Sequence, residues 1–366
     1  MRPLAIESLS VRDFRNLVSV DLELGPRINV LSGDNGQGKT NVLEAVYVAA
    51  TSRSFRTSRL SELVKNGAGV ASVRARVVEE GVARDQTVGM RPTTRSVRTD
   101  GKRPENLAAY AVRTPTVVFH PSVVALSMGS GAERRRLLDR VALYRAPGSL
   151  GDGEAYAKAV RARQRVLEVR GEDARDLADW ESLIVRHGLA LSAARAAAAE
   201  QLAPAAQRAF ERIGQPGVAL HVEYRPNAPS DAEAYLAWLA RNRVRDRARR
   251  SATTGPHRDE LALALDGAPV RGIASQGQHR AVVLALQLAE MEVISEVRGV
   301  RPILLLDDVS SELDRLRTGA LFAALRDESG QVLLTTTRPE LIETGALCRV
   351  EDRRDFRVVG GRVDRS

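Results

Sequence analysis

Between a short apolar run and an amphipathic one lies Gly33-Asp34-Asn35-Gly36-Gln37-Gly38-Lys39-Thr40. A glycine, four residues, then Gly-Lys-Thr is the phosphate-loop spacing. Arg27 to Ser32 reads as a buried strand, and Asn41 to Tyr47 as a helix with an apolar face. Strand, glycine loop and helix start together make an anion site. The loop amides and the helix N-terminus point at phosphate oxygens, and bulky side chains would block the approach. Lys39 then reaches the β- and γ-phosphates, and the Thr40 hydroxyl serves Mg²⁺. Few folds accept this junction. It calls for a parallel α/β core with the loop at a strand's C-terminal end.

Far downstream, Arg301-Pro302-Ile303-Leu304-Leu305-Leu306-Asp307-Asp308 is an apolar run ending in two carboxylates. Such a run is what a parallel strand buried on both faces looks like. Its acids emerge where ligands bind in open α/β sheets. Asp307 is expected on the Mg²⁺ side, and Asp308 to orient or deprotonate the attacking water. Lys39 and Asp307 are too far apart in sequence for one compact nucleotide fold, so something is inserted.

Just ahead of the acidic strand, Ser275-Gln276-Gly277-Gln278 opens a helical run from His279 to Glu296. After the strand comes Ser310-Ser311-Glu312-Leu313-Asp314. This order resembles the ABC ATPases: Walker A, a Ser-x-Gly-Gln signature opening a helix, Walker B, then a Ser-x-Leu-Asp loop. The resemblance implies that Ser275, Gly277 and Gln278 meet the γ-phosphate of a nucleotide held by a second copy.

Further segments narrow it. They are Leu9 to Leu17, Ser52-Arg53-Ser54-Phe55-Arg56-Thr57, Val117-Val118-Phe119-His120-Pro121, Arg134-Arg135-Arg136-Leu137-Leu138-Asp139, Thr254-Gly255-Pro256-His257-Arg258-Asp259-Glu260-Leu261 and Thr335-Thr336-Thr337. Together they resemble the RecF family of bacterial recombination-repair ATPases, related to SMC heads. The resemblance implies an ABC-type ATPase head, a mixed sheet around the phosphate-loop core, with an inserted α-helical arm. It implies ATP and Mg²⁺ as cofactors, held by Gly33 to Thr40, Asn41 and Arg56. It also implies an ATP-dependent homodimer on gapped, double- or single-stranded DNA, slow DNA-stimulated hydrolysis, RecR and RecO as partners, and action with RecA. Two departures stand out. Ser122-Val123-Val124 occupies a place where the family usually carries acids. Thr335 to Thr337 hold the place of the switch histidine of transporter cassettes.

The sequence has 366 residues, 43% hydrophobic and 28% charged, which is ordinary globular material. No run reaches the roughly 18 apolar residues of a membrane span. The N-terminal residues lack a signal-peptide core, and Cys348 is the single cysteine, so a cytoplasmic protein without disulfides is expected. The net charge of +9 and a pI near 10.2 suggest an anionic partner. Lysine is nearly absent, a bias that a high-GC genome also produces, so the number of arginines is not in itself a DNA signature. Their distribution says more. Arg241, Arg243, Arg245, Arg247, Arg249 and Arg250 crowd together with only Asp246 opposing, and Arg134, Arg135 and Arg136 form a second cluster. On one helix Arg241, Arg245 and Arg249 share a face. That row and the Arg134 to Arg136 cluster are the candidate DNA contacts.

Residues 1–125 read as β-rich, with turn signals at Gly81 and at Asp100-Gly101. Glu154 to Arg170, Leu177 to Ile213 and Ala232 to Arg250 read as helices, the second interrupted by Pro204. Alternation returns at Leu261 to Leu265, with Asp266-Gly267 as a hairpin turn. The expected division is a head of 1–125 with 251–366 and an arm of 126–250. The arm lacks sustained heptads, which excludes a long coiled-coil organiser. Gly360-Gly361 reads as part of a short fraying tail. The alternative function is a cassette energising a membrane transporter. A metabolic kinase is a third class, which would lack the Ser-x-Gly-Gln element.

Overall fold

Alternation of apolar and polar residues sets up the first sheet. β1 (Leu4–Phe14) buries Leu4 and Ile6, then Leu9 and Val11. The buried parity switches from even to odd because the register slips between Ile6 and Ser8. A bulge of this kind returns the apolar set to the core face. β2 (Leu17–Glu23), β4 (Ala71–Glu79), β5 (Val82–Met90) and β6 (Arg95–Thr99) complete an antiparallel sheet in the order β2-β1-β4-β5-β6. Glu80-Gly81, with positive φ at both residues, matches the twist of the β4 and β5 strands it joins, and Asp100-Gly101, likewise with positive φ at both, turns from β6 to the isolated bridge at Lys102.

The second sheet holds β3 (Ile28–Ser32), β7 (Thr116–Phe119), β11 (Ile303–Leu306), β12 (Val332–Thr336), β13 (Arg353–Val359) and β14 (Arg362–Arg365). Its order is β14-β13-β3-β12-β11-β7. The ladders from β13 through to β7 are parallel, and β14 is an antiparallel edge. All four residues of β11 and all five of β12 are buried, as a sheet covered on both faces requires. α1 (Lys39–Thr51) follows β3 and is buried at nearly every position from Val42 onward. α2 (Leu107–Ala111) precedes β7.

In this computed structural model residues 1–308, 330–339 and 352–366 are described. Ser310 to Asp314 and Cys348 lie outside them. The chain packs as two units, Met1–Val123 with Glu290–Ser366, and Val124–Ala289. The expected head included 251–289, which by packing goes with the second unit. That unit holds α3 (Ala125–Met128), α4 (Gly131–Arg145), α5 (Ser149–Arg170), α6 (Leu177–Ile213), α7 (Ala232–Arg241) and α8 (Arg243–Arg249). It also holds a three-stranded sheet of β8 (Leu220–Arg225), β9 (Glu260–Leu265) and β10 (Ala268–Pro269). Asp266-Gly267 turns between the last two with positive φ at both residues. The boundary between the units falls within α9 (Gln276–Arg298). No described helix is long and apolar enough to cross a membrane.

Three local expectations are corrected. Pro204 does not interrupt α6, because Leu202, Ala205, Ala206 and Ala209 are buried on either side of it and packing carries the helix through. The expected single helix from Ala232 to Arg250 breaks at Asn242, whose ψ of 3° is not helical. Gly360-Gly361 is not a fraying tail but the turn of the β13–β14 hairpin, with φ of 56° and 79°. β13 pairs in parallel with β3, a long-range ladder that no local pattern announces.

Candidate nucleotide site

Parallel order brings the site together. β3, β7, β11 and β12 all run the same way, so Gly33, His120, Asp307 and Thr337 follow the strand ends at one edge. Register sets the neighbours: Leu306 faces Phe119 on one side and Leu334 on the other. Asp307 is therefore flanked by His120 and Thr335.

The loop geometry requires its glycines. Gly33, Gly36 and Gly38 have φ of 148°, 80° and 113°, which other residues rarely adopt. A Cβ on Gly33 would stand 2.3 Å from the Val358 carbonyl oxygen, and one on Gly38 would meet the Asn16 side chain at 2.9 Å. Asp34, Asn35 and Gly36 are exposed at the loop tip. Gln37 is pinned from behind. Gly361 N donates to its carbonyl (2.9 Å), Gly360 N to its Oε1 (2.6 Å), and Asn16 Nδ2 to its carbonyl (3.3 Å). Asn41 Nδ2 donates to Asn16 Oδ1 at 2.7 Å.

Lys39 curls into the loop, where Nζ donates to the carbonyls of Gly33 (2.6 Å) and Asp34 (2.8 Å). Burial pulls its ammonium below the usual lysine range, opposed by the charges of Asp308, Asp307 and Asp34. Thr40 Oγ1 and Thr335 Oγ1 both donate to Asp307 Oδ1, at 2.8 and 2.9 Å. Thr335 Oγ1 also accepts from Asp308 N at 2.9 Å. One hydroxyl thus fixes both carboxylate residues. Asp308 sits at φ 51°, a conformation uncommon outside glycine and typical of strained functional positions. His120 Nε2 lies 3.7 Å from Asp307 Oδ2. Its ring packs edge-on against Phe55 with centroids 5.1 Å apart.

The donor set fits the expected cofactors. A hydroxyl and a carboxylate oxygen converge beside an ammonium, and hard oxygen donors of this kind suit Mg²⁺. No described group of three His, Cys, Asp or Glu side chains could hold a metal alone. Arg56 donates to Asn41 Oδ1 (2.7 Å) and Glu44 Oε2 (3.3 Å), one turn along α1 from the loop. Glu44 is fully buried and also receives a two-pronged contact from Arg15 at 2.9 and 2.8 Å. Arg15, Asn16, His120 and Thr335 fall in segments that carry the family resemblance but give no site role from the sequence, and Glu44 falls in none. Only the sheet register and the β1–β2 turn bring them to the loop. Thr335 was expected only as a stand-in for a switch histidine.

The signature segment belongs to the second unit. Ser275 N donates to Gln278 Oε1 (2.8 Å), and Gln278 N donates to Ser275 Oγ (3.2 Å). These reciprocal bonds form a capping box at the start of α9, legible in Ser-x-x-Gln. Ser275 is exposed, and Gly277 lies in the first turn.

The arginines separate sharply. Arg134 is buried. It donates to both oxygens of Glu260 (2.6 and 3.1 Å) and to the Leu126 carbonyl (2.8 Å). Arg135 donates to the Asp259 carbonyl at 2.8 Å, and burial lowers its pKa first of all. Of this cluster only Arg136 faces outward, paired with Glu133 on the same helix. Arg243 and Arg247 are tied to Glu181 (2.6 Å) and Glu172 (2.9 Å). Arg241, Arg245 and Arg249 are exposed.

A phosphate loop, a carboxylate strand one strand removed from it and a helical insertion before that strand define an ATPase head of the ABC and SMC type. The family description "RecF/RecN/SMC N terminal domain" matches residues 5–354. The chain is 43% identical to the DNA replication and repair protein RecF of Anaeromyxobacter sp. (strain Fw109-5), covering 97% of this chain and 98% of that protein. It is 38% identical to the RecF of Myxococcus xanthus (strain DK1622), covering 97% and 96%. A solved structure described as the recombination mediator protein RecF-ATPrS in the RecFOR pathway superposes with a TM-score of 0.86 at 26% identity, over 99% of this chain and 98% of that one. An Smc head domain from Pyrococcus furiosus shares the fold, with a TM-score of 0.54 at 15% identity over 99% and 96%. This chain belongs to the RecF family of DNA replication and repair proteins.

Proposed function

We propose that the protein is a cytoplasmic ATP-dependent DNA-binding ATPase of recombinational repair and replication-fork maintenance. The observation that carries this reading is the convergence of Lys39, Thr40 and Asp307 at one sheet edge, with Thr40 Oγ1 2.8 Å from Asp307 Oδ1. Bound Mg²⁺ would neutralise phosphate charge there. Gly33 to Thr40 cradle the β- and γ-phosphates through backbone amides, and Lys39 swings from the Gly33 and Asp34 carbonyls onto them. Thr40 and Asp307 hold the ion, and Asn41 and Arg56 line the nucleotide side. Asp308 orients the attacking water and takes its proton. Thr335, bonded to the Asp307 carboxylate and to the Asp308 backbone N–H, holds the backbone from which Asp308 acts.

In a homodimer the exposed Ser275, with Gly277 and Gln278, meets the γ-phosphate of the partner copy. Nucleotide then joins two heads, and hydrolysis releases them. DNA, whether gapped, double- or single-stranded, lies against the exposed Arg241 at the end of α7 and Arg245 and Arg249 on α8, which the break at Asn242 separates from the single helix face expected for them. Arg136 is a lesser contact, and Arg134 and Arg135 are excluded by their internal bonds. Relatives named for the RecFOR pathway support RecR and RecO as partners, with help in recombinase (RecA) loading at gaps.

The test is DNA binding with and without ATP at several salt concentrations, using duplex, gapped and single-stranded probes, with sedimentation alongside. Asp308→Asn should bind ATP, turn over slowly and accumulate the dimer. Ser275→Arg should bind ATP as a monomer and fail to dimerise. A full ATP-driven dimer of Ser275→Arg would remove the signature from the interface.

A further inference from the structure

The first unit has a second concave site, at the edge of the parallel sheet opposite the phosphate loop. It is a groove of about 800 Å³, the size of a ligand pocket. Its origin lies in the strand pairing. β2 accompanies β1 only from Ser8 onward, and the last bond there is from Leu24 N to the Glu7 carbonyl. Beside the preceding residues of β1 no strand follows. The Gln331 amide takes that place at Ile6, accepting from its N–H (2.9 Å) and donating to its carbonyl (2.8 Å). The groove runs along this vacated strand position, over Leu4, Ile6 and Leu24.

Its walls are basic. Arg2, Arg27, Arg76, Arg301 and Arg354 face three carboxylates, Glu7, Glu23 and Glu80. The carboxylates engage Arg76 at 3.3 Å, Arg354 at 3.9 Å and Arg2 at 4.0 Å. The Nε of Arg301 is buried without a hydrogen-bond partner. An unpaired buried guanidinium donor is costly, and an incoming carboxylate would relieve it in the forked geometry arginine favours. Aliphatic floor and guanidinium walls discriminate between anions. Nucleic-acid backbone or inorganic phosphate gains nothing from Leu4 and Leu24. An extended peptide alternating acidic and aliphatic side chains satisfies both surfaces, since its side chains point alternately to opposite faces.

We propose that this groove docks a short, extended, acidic–aliphatic segment of a partner protein. The site is separate from the nucleotide machinery, so the inference goes beyond the function proposed above and does not depend on it. The probe is a fluorescein-labelled hexapeptide of alternating leucine and aspartate, with a leucine–lysine hexapeptide as control, read by fluorescence anisotropy against the full chain. The acidic peptide should bind saturably and the basic one should not. Arg76→Glu with Arg301→Glu should weaken binding by about tenfold or more and leave nucleotide affinity unchanged. Arg76 is half-exposed, so Arg76→Ala alone provides a variant that keeps the fold and should give a smaller loss. Equal binding of both peptides, or equal affinity in the charge-reversed variant, would overturn the proposal. So would displacement of the peptide by an equal concentration of short oligothymidylate or inorganic phosphate, which would assign the groove to phosphate instead.

Discussion

Asp307 in the first unit and Asp246 in the second are both buried aspartates at the heart of their surroundings, and they are compensated in opposite ways. Asp246 is saturated. Arg163 Nη1 donates to one oxygen at 2.7 Å, and Thr253 donates to the other through N–H and hydroxyl at 2.9 and 2.7 Å. Arg163 is itself fully buried and bonded to Glu181 and to the Leu239 carbonyl. Asp307 is held by neutral hydroxyls, those of Thr40 and Thr335, with His120 Nε2 3.7 Å away, beyond hydrogen-bond distance. A carboxylate locked by a guanidinium has no reason to exchange partners, whereas one held by hydroxyls can trade them for a cation. The difference separates a structural acid from a working one better than burial does.

Removing one member of each set tests the contrast, and the largest effect belongs to the saturated one. Arg163→Met leaves Asp246 buried without its cation, while Glu181 keeps Arg243, and should cost about 3–5 kcal/mol of stability. Asp307→Asn keeps shape and polarity and should change stability by less than about 1 kcal/mol, while removing metal-dependent nucleotide binding. Urea unfolding of both variants checks this. Comparable losses in the two would mean that Asp307 is as structural as Asp246.

Next in size is Lys39→Ala. It removes the cation shared by the loop and the two acids, and nucleotide binding should weaken by roughly 1.5–3 kcal/mol, the scale of charge-assisted hydrogen bonds. Titration with a fluorescent nucleotide measures it, and wild-type affinity would sink the phosphate-loop assignment.

The same contrast explains what could be read in advance. The phosphate loop, the Asp307-Asp308 strand end and the signature cap are local. Glycine conformation, apolar runs and Ser-x-x-Gln spacing dictate them, and the sheet edge follows from parallel order. Turns at Asp100-Gly101 and Asp266-Gly267 were legible for the same reason. An arginine is not local in this sense. Arg134 and Arg136 are two residues apart, yet one is consumed by Glu260, far away in sequence, and the other faces solvent. Thr335 and His120 acquire their place only from the pairing of β12 and β7 with β11. The helix break at Asn242 has no glycine or proline to announce it in the sequence.

That break sharpens the arginine comparison. Arg243 and Arg247 are held by Glu181 and Glu172, so the exposed Arg241, Arg245 and Arg249 are left to meet an anion. Changing those three to Ala should weaken binding to all DNA sequences alike, because phosphate contacts carry no base code. The salt slope on duplex DNA should flatten by up to about 0.9 per lost contact. Arg134→Ala, by contrast, should reduce stability through Glu260 and leave the slope unchanged. An unaltered slope in the triple variant would make these arginines solvated.

The smallest effect concerns His257 in the second unit, which is partly buried and hydrogen-bonded through both ring nitrogens. Its Nε2 faces the Ala252 carbonyl at 3.0 Å, which can only accept, so Nε2 carries the proton. Nδ1 then accepts from the Tyr156 hydroxyl at 2.7 Å. Burial depresses its pKa below the usual 6.5, aided by the charges of Arg258 and Arg135 and opposed by the Ala252 carbonyl. The unfolded chain therefore takes up a proton at higher pH than the folded one. The contribution of neutral His257 is complete above the unfolded value and is lost as pH falls through the folded one, with a slope of at most about 1.4 kcal/mol per pH unit. His257→Gln keeps an amide able to bond Ala252 and Tyr156 and cannot titrate. Its unfolding free energy, followed by urea titration from neutral to mildly acid pH, should decline less steeply than that of the wild type. Parallel declines would show that the proton uptake belongs to another group.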